Sequence, residues 1–437
     1  MTKVALHTLG CKLNYAETST LGKQFLERGF QIVAWGEPAD VVVLNTCTVT
    51  ERADRECRQL IRRALRGGGE PYVIVTGCYA QLEPEQIASI HGVDLVLGTS
   101  EKSDLFRYVE SGFRKPGVPR IHISDPGTLD RFGPAFTTGA GGRTRAYLKV
   151  QDGCDYACSF CTIPLARGAS RSQALERCVS QAEELVRQGY REIVLTGVNV
   201  GDFGRKSGSS LLALLTELVR LDGLTRLRIS SIEPNLLTRA MVEFVAAEPV
   251  MCKHFHIPLQ SGTDAILRAM RRRYTVSAYR ALLQQIRSVV PDAGVGADVI
   301  VGFPGETDAD FDATAAFLQE LPLSYLHVFT YSERPRTPAA SMGAPVAPHT
   351  RHLRNAILRS LSQKKRRAFY ESMIGRTVPV LLEGDCENGL RFGFTDNYVR
   401  VGVPVGTAEQ NTLVPVKLEA IEDGICRGTP VAAGEMR

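Results

Sequence analysis

The stretch Gly-Cys-Asp-Tyr-Ala-Cys-Ser-Phe-Cys at residues 153–161 places three cysteines in the spacing C-x3-C-x2-C, directly after a predicted β-strand at residues 146–151. A closed structural zinc site needs four ligands, and residues 162–171 contain no further Cys or His. Three thiolates suit a [4Fe-4S] cubane, because they bind three irons and leave the fourth open. We therefore predict a reactive cluster at Cys154, Cys158 and Cys161. The alternatives are buried apolar thiols or a zinc loop with a remote ligand.

This stretch opens a series of alternating strands and helices. Helical periodicity occurs, for example, at residues 174–188, 211–221, 277–289 and 308–318. The predicted strands that these helices separate are residues 146–151, 192–196, 226–231, 254–259, 297–301 and 325–330. Six β-α repeats are fewer than the eight that close a full barrel. We predict an open, partial (βα)6 barrel with its chemistry at the carboxyl ends of the strands.

The N-terminal region shows a second α/β pattern with three further cysteines. Predicted strands at residues 4–9, 41–45, 72–77 and 93–98 alternate with helices at 16–28 and 54–65, which indicates a parallel sheet. Cys11, Cys47 and Cys78 each come shortly after a strand. The carboxyl ends of parallel strands share one edge, so these thiols can converge. The residues alone leave both cluster ligation and three buried structural thiols open.

The remaining segments predict a linker, a basic helix and a small β domain. Residues 116–143 are rich in Gly, Pro and Thr, which is typical of a linker. Residues 351–370 lack Gly and Pro and predict a helix. Short β runs at 377–383, 391–395, 398–401 and 412–420 predict an all-β barrel. The predicted domains are therefore 1–115, 144–370 and 371–437, with 116–143 as the linker.

Composition excludes several classes of protein. With 44% hydrophobic and 23% charged residues and no apolar run of about 18 residues, the chain is expected to be globular, without a membrane span. Residues 1–10 lack the layout of a secretory signal, so a cytoplasmic location is expected. Eleven cysteines are an odd number, which argues against a disulfide framework. We interpret the five outside the two trios as structural: Cys57, Cys178, Cys252, Cys386 and Cys426.

The C-x3-C-x2-C motif at a strand end resembles that of the radical S-adenosylmethionine (radical SAM) superfamily, whose clusters bind SAM and cleave it to a 5′-deoxyadenosyl radical. The resemblance implies SAM contacts in the loops that follow successive strands. The candidate residues are Thr196, Gly197, Asn199, Ser231, Glu233, Gln260, Ser261 and Gly302. A glycine after a strand is also common in an ordinary turn.

The whole chain resembles the radical SAM methylthiotransferases, which join a three-cysteine α/β domain, a radical SAM core and a small β-barrel called TRAM. The resemblance implies a second [4Fe-4S] cluster at Cys11, Cys47 and Cys78, whose open iron carries the sulfur to be inserted, and the use of two SAM molecules. The residues Leu9-Gly10-Cys11-Lys12-Leu13-Asn14, with the segments 45–50 and 77–81, resemble the MtaB group. That group methylthiolates carbon-2 of N6-threonylcarbamoyladenosine at tRNA position 37.

Three alternatives to this function stay open. The isopentenyladenosine group tends to show Gln-Met-Asn after the first cysteine and the ribosomal-protein group Pro-Lys-Asn, whereas residues 12–14 are Lys-Leu-Asn. The third alternative is a non-enzymatic iron-sulfur regulator that binds RNA. The family also implies a low-potential electron donor and a sulfur donor as partners.

Two basic clusters suggest that the tRNA anticodon loop is a partner. Residues 350–370 carry seven basic residues and no acidic one, and a triple arginine precedes Tyr274, whose ring could stack on a base. The candidates are Arg271, Arg272, Arg273, Arg351, Arg354, Lys364, Lys365, Arg366 and Arg367. Ordinary solvated helix faces are the alternative. Residues 371–437 carry six basic and ten acidic residues, so there we expect one local face with Arg391, Arg400 and Lys417.

One position departs from the family pattern. The family loop after Tyr331-Ser332 usually has Gly before Thr-Pro-Ala, whereas this chain has Arg336. Left-handed backbone favours glycine, so we expect ordinary backbone at Arg336 and an altered loop shape.

Overall fold

The computed structural model describes residues 1–66, 69–110, 112–129, 131–137 and 144–431. Three units follow one another along the chain: a parallel α/β domain, an open barrel of parallel strands and a closed β-barrel. The predicted α/β fold class is confirmed. The Gly-rich part of the predicted linker, residues 138–142, lies outside the described residues. No helix among the described residues is both long and apolar enough to cross a membrane.

The N-terminal domain is a six-stranded parallel sheet in the order β2-β1-β3-β4-β5-β6. Its strands are β1 (Lys3–Thr8), β2 (Gln31–Val33), β3 (Val41–Thr46), β4 (Tyr72–Gly77), β5 (Leu95–Leu97) and β6 (Arg120–His122). Its helices are α1 (Lys12–Glu27), α2 (Glu51–Arg66), α3 (Cys78–Leu82) and α4 (Pro84–Ala88). Both central strands are buried along their whole length, because helices cover both faces of the sheet.

Part of the predicted linker belongs to this sheet. Strand β6 lies inside residues 116–143 and pairs with β5. Further along, the amide of Thr137 donates to the carbonyl of Tyr147 and the amide of Lys149 donates to the carbonyl of Ala135. The interpretation of the whole segment as a linker was therefore wrong. Its Gly and Pro content hid a short edge strand, since backbone pairing with β5 outweighs weak local propensity.

The central unit contains six parallel strands and their crossover helices. In chain order it consists of β7 (Arg145–Lys149), the short pair β8 (Gln151–Asp152) and β9 (Arg171–Ser172) around α5 (Ile163–Arg167), α6 (Leu175–Arg187), β10 (Glu192–Thr196), α7 (Leu211–Leu218), β11 (Arg226–Ile229), α8 (Arg239–Ala247), β12 (His254–His256), α9 (Asp264–Ala269), α10 (Val276–Val289), β13 (Gly294–Val301), α11 (Asp308–Glu320) and β14 (Tyr325–Thr330). The pairing gives β11-β10-β7 and β12-β13-β14, with a single bridge from Leu227 to Met251 between the two sets. In the described residues β7 and β14 do not pair with each other, so the barrel is open.

The two faces of these strands differ sharply. Alternate residues such as Leu148, Ile193 and Val299 pack into one apolar core beneath the helices. Because side chains alternate along a strand, the intervening residues face the barrel interior. They include Arg145, Tyr147, Lys149, Glu192, Arg226, Arg228, His254, His256, Asp298, Tyr325 and His327. The interior is therefore a polar chamber, whereas a full (βα)8 barrel fills its interior with apolar layers.

The C-terminal barrel closes the amino-terminal end of this chamber. Helix α12 (Pro348–Glu371) leads into strands β15 (Thr377–Glu387), β16 (Leu390–Thr395), β17 (Arg400–Pro404), β18 (Leu413–Glu422) and β19 (Ile425–Pro430), closed in the order β15-β16-β17-β19-β18. Arg226 donates to the carbonyls of Phe394 and Pro379 at 2.7 and 2.6 Å, and Arg228 donates to that of Asp396 at 2.9 Å. Buried arginines thus join the barrel to the core. Strand β19 was not predicted.

We expect Arg228→Leu to lower the free energy of unfolding by roughly 3–5 kcal/mol. Glu192 accepts a hydrogen bond from Arg228 Nε at 2.7 Å and is fully buried. Without Arg228, the negative charge of Glu192 would be balanced only in part, by Arg226. Chemical denaturation measures the change. The matched control is Arg239→Leu, which removes an arginine that forms an exposed ion pair with Glu243. Equal effects of the two substitutions would contradict the structural role of Arg228.

Candidate active site

The first cysteine trio meets at the carboxyl edge of the N-terminal sheet. Cys11 precedes α1, Cys47 follows β3, and Cys78 begins α3 directly after β4. Burial and, after it, the nearby thiols of Cys78 and Cys11 raise the pKa of Cys47 to about 12. Gly10 allows the close approach: its φ is +102°, and a Cβ there would lie 2.7 Å from the Cβ of Cys47. The structure therefore brings Cys11, Cys47 and Cys78 together.

The second trio lies on the loop between β8 and α5. Burial raises the pKa of Cys154 to about 11 and that of Cys161 to about 12, and the neighbouring thiol of Cys158 contributes to both increases. The sulfur atoms also accept hydrogen bonds. The amide of Tyr156 donates to Cys154 Sγ at 3.4 Å, the amide of Ile163 to Cys161 Sγ at 3.4 Å, and Arg272 Nη1 to Cys158 Sγ at 3.1 Å. Such N–H···S contacts are the kind that tune iron-sulfur clusters.

Neither cysteine trio has the close grouping of side chains that surround a single metal ion. Among the described residues, the one set of three potential ligand atoms that all lie within 4.8 Å of one another comes from His256, Asp298 and His327. Neither cysteine trio is gathered that closely. Thiolates on one zinc ion lie within about 4.6 Å of one another, since each Zn–S bond is about 2.3 Å. Thiolates on different irons of a cubane are farther apart, so the looser grouping of the two trios is compatible with a cluster, and the thiols would have to lose their protons to bind one.

One buried arginine, on the helix that follows the second trio, reaches the first trio. Arg167, at the end of α5 and 1% exposed, donates from Nε to Cys78 Sγ at 3.3 Å and from Nη2 to Asn14 Oδ1 at 2.7 Å. Its Nη1 donates to Glu17 at 2.9 Å and to Asp152 at 3.0 Å. The helix that follows the second trio thus contacts a ligand of the first. Sequence reasoning missed Arg167, although an arginine in the apolar run after the cysteine motif was a usable signal.

A cavity of about 210 Å³ lies between the two halves of the site. Val49 and Thr50, which follow Cys47, line it from the N-terminal domain. Cys161, Gln260 and Asp298 line it from the barrel, with apolar residues such as Ile300 and Phe329. A ligand in this cavity would contact residues next to both trios.

Several predicted SAM-contact residues have the unsatisfied polar atoms expected of a ligand site. In the described part of the chain, both carboxamide atoms of Asn199 and the Oε1 atom of Gln260 are buried without a hydrogen-bond partner. The backbone N–H of Asn199 donates to Gln151 Oε1 at 2.8 Å. This hydrogen bond holds the loop of Thr196 and Gly197 beside the second trio. Gln260 also has a left-handed backbone, with φ of +70°. These orphaned groups fit a polar cofactor.

The other predicted SAM contacts divide into two sets. Glu233 pairs with Arg272, the arginine that donates to Cys158, whereas Ser231 and Ser261 lie on the loops after β11 and β12. Gly302 differs: its amide is bound by Glu306, and a Cβ there would lie 2.3 Å from Cγ of Arg351. The structure therefore gives Gly302 a role in a turn packed against α12, and the prediction that it contacts SAM is not supported.

Four of the predicted RNA-binding residues form their hydrogen bonds to other groups of the protein. Arg351 and Arg354 are buried, donating to Glu333 and to Asp308 at 2.6 Å each, because α12 packs that face on the core. Lys365 donates to the carbonyls of Gln319 and Leu321 at the end of α11. Arg272 is held at Cys158 and Glu233. The prediction that these four cations face RNA was wrong.

The remaining candidates have mixed environments. Arg271, Lys364, Arg366 and Arg367 are exposed, and Arg367 pairs with Glu371. Arg273 is also exposed but lies 3.9 Å over the ring of Tyr156. The ring of Tyr274 is not free to stack on a base, since it packs against the core and its hydroxyl donates to the carbonyls of Pro258 and Leu259.

Two further expectations need correction. Arg391 lies directly opposite Val403 on the neighbouring strand, so its side chain is on the same face as Val403, which faces the barrel core. Arg400 and Lys417 instead alternate with core residues and point outward. The three cations therefore do not share a face. Arg336 has a left-handed backbone, with φ of +67°, contrary to expectation. Its guanidinium donates to the carbonyl of Leu82 at 2.6 Å and to Glu83 at 2.7 Å, so a contact between domains compensates the strain.

Comparison with known proteins agrees with this architecture. Residues 3–98 match the family described as "Uncharacterized protein family UPF0004", and residues 148–318 match the Radical SAM superfamily. The chain is 40% identical to the protein of Bacillus subtilis (strain 168) named threonylcarbamoyladenosine tRNA methylthiotransferase MtaB, over 96% of this chain and 94% of that protein. The identically named protein of Aquifex aeolicus (strain VF5) is 38% identical over 91% and 96% of the two chains.

The chain belongs to the MtaB-type radical SAM methylthiotransferases. The predicted resemblance is thereby confirmed, and the protein is a radical SAM methylthiotransferase. It is also 36% identical, over 96% of both chains, to the Cereibacter sphaeroides (strain ATCC 17023) protein named tRNA-2-methylthio-N(6)-dimethylallyladenosine synthase. Among solved structures, the radical S-adenosylmethionine methyltransferase TsrM from Kitasatospora setae shares the fold, with a TM-score of 0.57 and 18% identity, over 78% of this chain and 75% of that one.

We expect Gly10→Ala to lower the amount of iron bound by this methylthiotransferase, because the added methyl group would collide with Cys47. Iron analysis of anaerobically purified protein measures this. The matched control is Gly29→Ala, since Gly29 also has a positive φ, +80°, but nothing lies within 4 Å of its Cβ position. Equal iron contents in the two variants would show that the close contact between Gly10 and Cys47 does not shape a cluster site.

Proposed function

We propose that this enzyme inserts a methylthio group at carbon-2 of N6-threonylcarbamoyladenosine at tRNA position 37, using two [4Fe-4S] clusters and two SAM molecules. The observation that carries the proposal is the pair of cysteine trios, with Arg167 of the helix after the second trio donating to Cys78 of the first, in a chain 40% identical to a relative named for this modification. Cys11, Cys47 and Cys78 would hold the auxiliary cluster, and Cys154, Cys158 and Cys161 the radical SAM cluster.

When bound, SAM and its cluster supply a 5′-deoxyadenosyl radical that initiates replacement of the adenine carbon-2 hydrogen. The chain's own residues orient and enclose the reactants. Asn199 and Gln260 offer unpaired polar groups beside the second trio, while Ile300 and Phe329 give the cavity an apolar wall. A primary carbon radical reacts with whatever it meets, so enclosure restricts it to the substrate.

A groove between α12, β14 and the C-terminal barrel is the proposed path for the RNA. This cavity of about 640 Å³ is lined by Arg366, Arg367 and Arg400 together with aromatic rings, among them Phe394 and Tyr398. Cations attract phosphates and aromatic rings stack on bases. Tyr325 and His327 line the groove and also lie on the interior face of β14, so the groove leads into the chamber. The modified adenine would leave the anticodon-loop stack to enter it.

The closest alternative is a different N6 substituent on the adenine. The Cereibacter sphaeroides relative at 36% identity is named for dimethylallyladenosine, so overall similarity separates the two substrates only weakly. The residues Lys-Leu-Asn after Cys11 resemble those of the methylthiotransferases that act on threonylcarbamoyladenosine, which favours the proposal. A low-potential electron donor, a sulfur donor and a cytoplasmic location remain predictions that accompany it.

The two-cluster proposal predicts that Cys11→Ala reduces iron from about eight to about four per chain, since each cubane contains four irons. Anaerobic reconstitution followed by iron and sulfide analysis measures the loss. Cys158→Ala should lose a similar amount of iron and should also abolish 5′-deoxyadenosine formation. The control is Cys386→Ala, which removes an exposed cysteine outside both trios. Wild-type protein with only about four irons would contradict the second cluster.

The substrate proposal predicts that the reduced enzyme with SAM methylthiolates an anticodon stem-loop that carries threonylcarbamoyladenosine. An otherwise identical stem-loop with dimethylallyladenosine should react at least about 10-fold more slowly in kcat/KM. Mass spectrometry of the digested RNA measures both products. A preference for dimethylallyladenosine would assign the enzyme to the alternative substrate, and 5′-deoxyadenosine formation without either product would place its substrate elsewhere.

A further inference from the structure

Lys12 extends from the first cysteine trio into the barrel chamber. It follows Cys11 directly and is the first residue of α1. Helix α1 packs against the interior of the barrel, since its Ala16 lies in one buried cluster with Tyr147 of β7 and Val194 of β10. The groups whose charges act on Lys12 there are Tyr398, Arg228, Arg145 and Glu192. The last three lie on the interior faces of β11, β7 and β10, and Tyr398 approaches the same interior from the C-terminal barrel. The lysine is accessible to solvent although protein surrounds it, as expected for a side chain that projects into an internal chamber.

The other cations of this part of the chamber already have partners. Arg145 Nε donates to Glu383 at 2.9 Å, Arg228 Nε to Glu192 at 2.7 Å, and Arg226 to two backbone carbonyls of the C-terminal barrel. Deeper in the site, Lys149 and Lys102 both pair with Glu17. Lys12, by contrast, forms no ion pair and donates no hydrogen bond within residues 1–66, 69–110, 112–129, 131–137 and 144–431.

Charge in this region is unbalanced. The cations Lys12, Arg145, Arg226 and Arg228 outnumber the carboxylates Glu192 and Glu383 in this part of the chamber, and the further carboxylate Asp298 lies against His256 and His327. A region surrounded by protein favours a ligand that neutralises its excess charge, since charges interact more strongly there than in water. The chamber is therefore suited to an anionic group beside Cys11, and Lys12 is the cation free to bind it.

We propose that the Lys12 ammonium group binds the carboxylate of the threonylcarbamoyl substituent and so determines substrate specificity. This inference rests on the proposed function, because the threonylcarbamoyl group carries a carboxylate that adenosine and dimethylallyladenosine lack. Adenine carbon-2 must approach the sulfur held at the first trio, which brings the N6 substituent of the same ring near the residue that follows Cys11. A charge-assisted hydrogen bond from Lys12 to the carboxylate then strengthens binding of the threonylcarbamoyl substrate. A substrate with a neutral N6 substituent would leave Lys12 unpaired and would bind more weakly.

The test compares binding of two anticodon stem-loops to the reconstituted full-length enzyme. One carries threonylcarbamoyladenosine and the other its methyl ester, which removes the charge with little change in size. Fluorescence anisotropy gives the Kd of each without turnover. We expect wild-type protein to prefer the acid by roughly 10- to 100-fold. Lys12→Gln should abolish the preference and Lys12→Arg should keep most of it. Lys23→Gln, an exposed lysine on the same helix, is the matched control and should keep all of it.

Each outcome decides a separate question. Equal binding of acid and ester by wild-type protein, or an unchanged preference in Lys12→Gln, would overturn the role of Lys12 while the proposed function stands. Iron content of every variant shows whether a lost preference comes from a lost cluster, and a Lys12→Gln protein that lacks iron would be replaced in the comparison by Lys12→Met. The proposed function fails separately, if wild-type enzyme forms no methylthio product on the threonylcarbamoyladenosine stem-loop.

Discussion

The buried guanidinium of Arg167 is the contact on which the rest of the site depends. It joins a cysteine ligand of the N-terminal domain to carboxylates of both domains, Glu17 from α1 and Asp152 from the barrel. Burial alone would raise the pKa of Glu17, but Arg167, Lys102 and Lys149 hold it well below its usual value. Lys102 and Glu17 come from the N-terminal domain, whereas Arg167 and Lys149 come from the barrel, so the compensation of Glu17 is complete only when the two domains are docked. Docking therefore completes the site.

The polar interior of the barrel follows from its open architecture. A sheet buried under helices on its outer face needs apolar residues only there, and the open side of the barrel leaves its inner face for a ligand. Arg145, Glu192, Arg228 and Asp298 would be costly in a packed core, yet each has a partner in the chamber or in the C-terminal barrel. The N-terminal domain and the C-terminal barrel close this interior from different directions, so each of the three units supplies part of its wall.

The sequence predicted the elements whose geometry is local and missed those that depend on packing. Cysteines after parallel strands converge because strand ends share an edge, so both trios were predictable from position. The direction of a side chain on a long helix is not local: Arg351 and Arg354 resemble surface cations but lie on the face of α12 that packs against the core. Strand β6 and the left-handed backbone of Arg336 likewise depend on partners distant in sequence, β5 and Leu82.

Among the cysteines in the part of the chain that the structure describes, the two trios share one further feature. Each has a sulfur atom that accepts from an arginine, Cys78 from Arg167 and Cys158 from Arg272. Each arginine is in turn held by carboxylates, those of Glu17 and Asp152 for the first and that of Glu233 for the second. Hydrogen bonds to ligand sulfurs stabilise negative charge on a cluster and shift its reduction potential. Because carboxylates hold both guanidinium groups beside a cysteine sulfur, these donors are preorganised to stabilise negative charge on that sulfur.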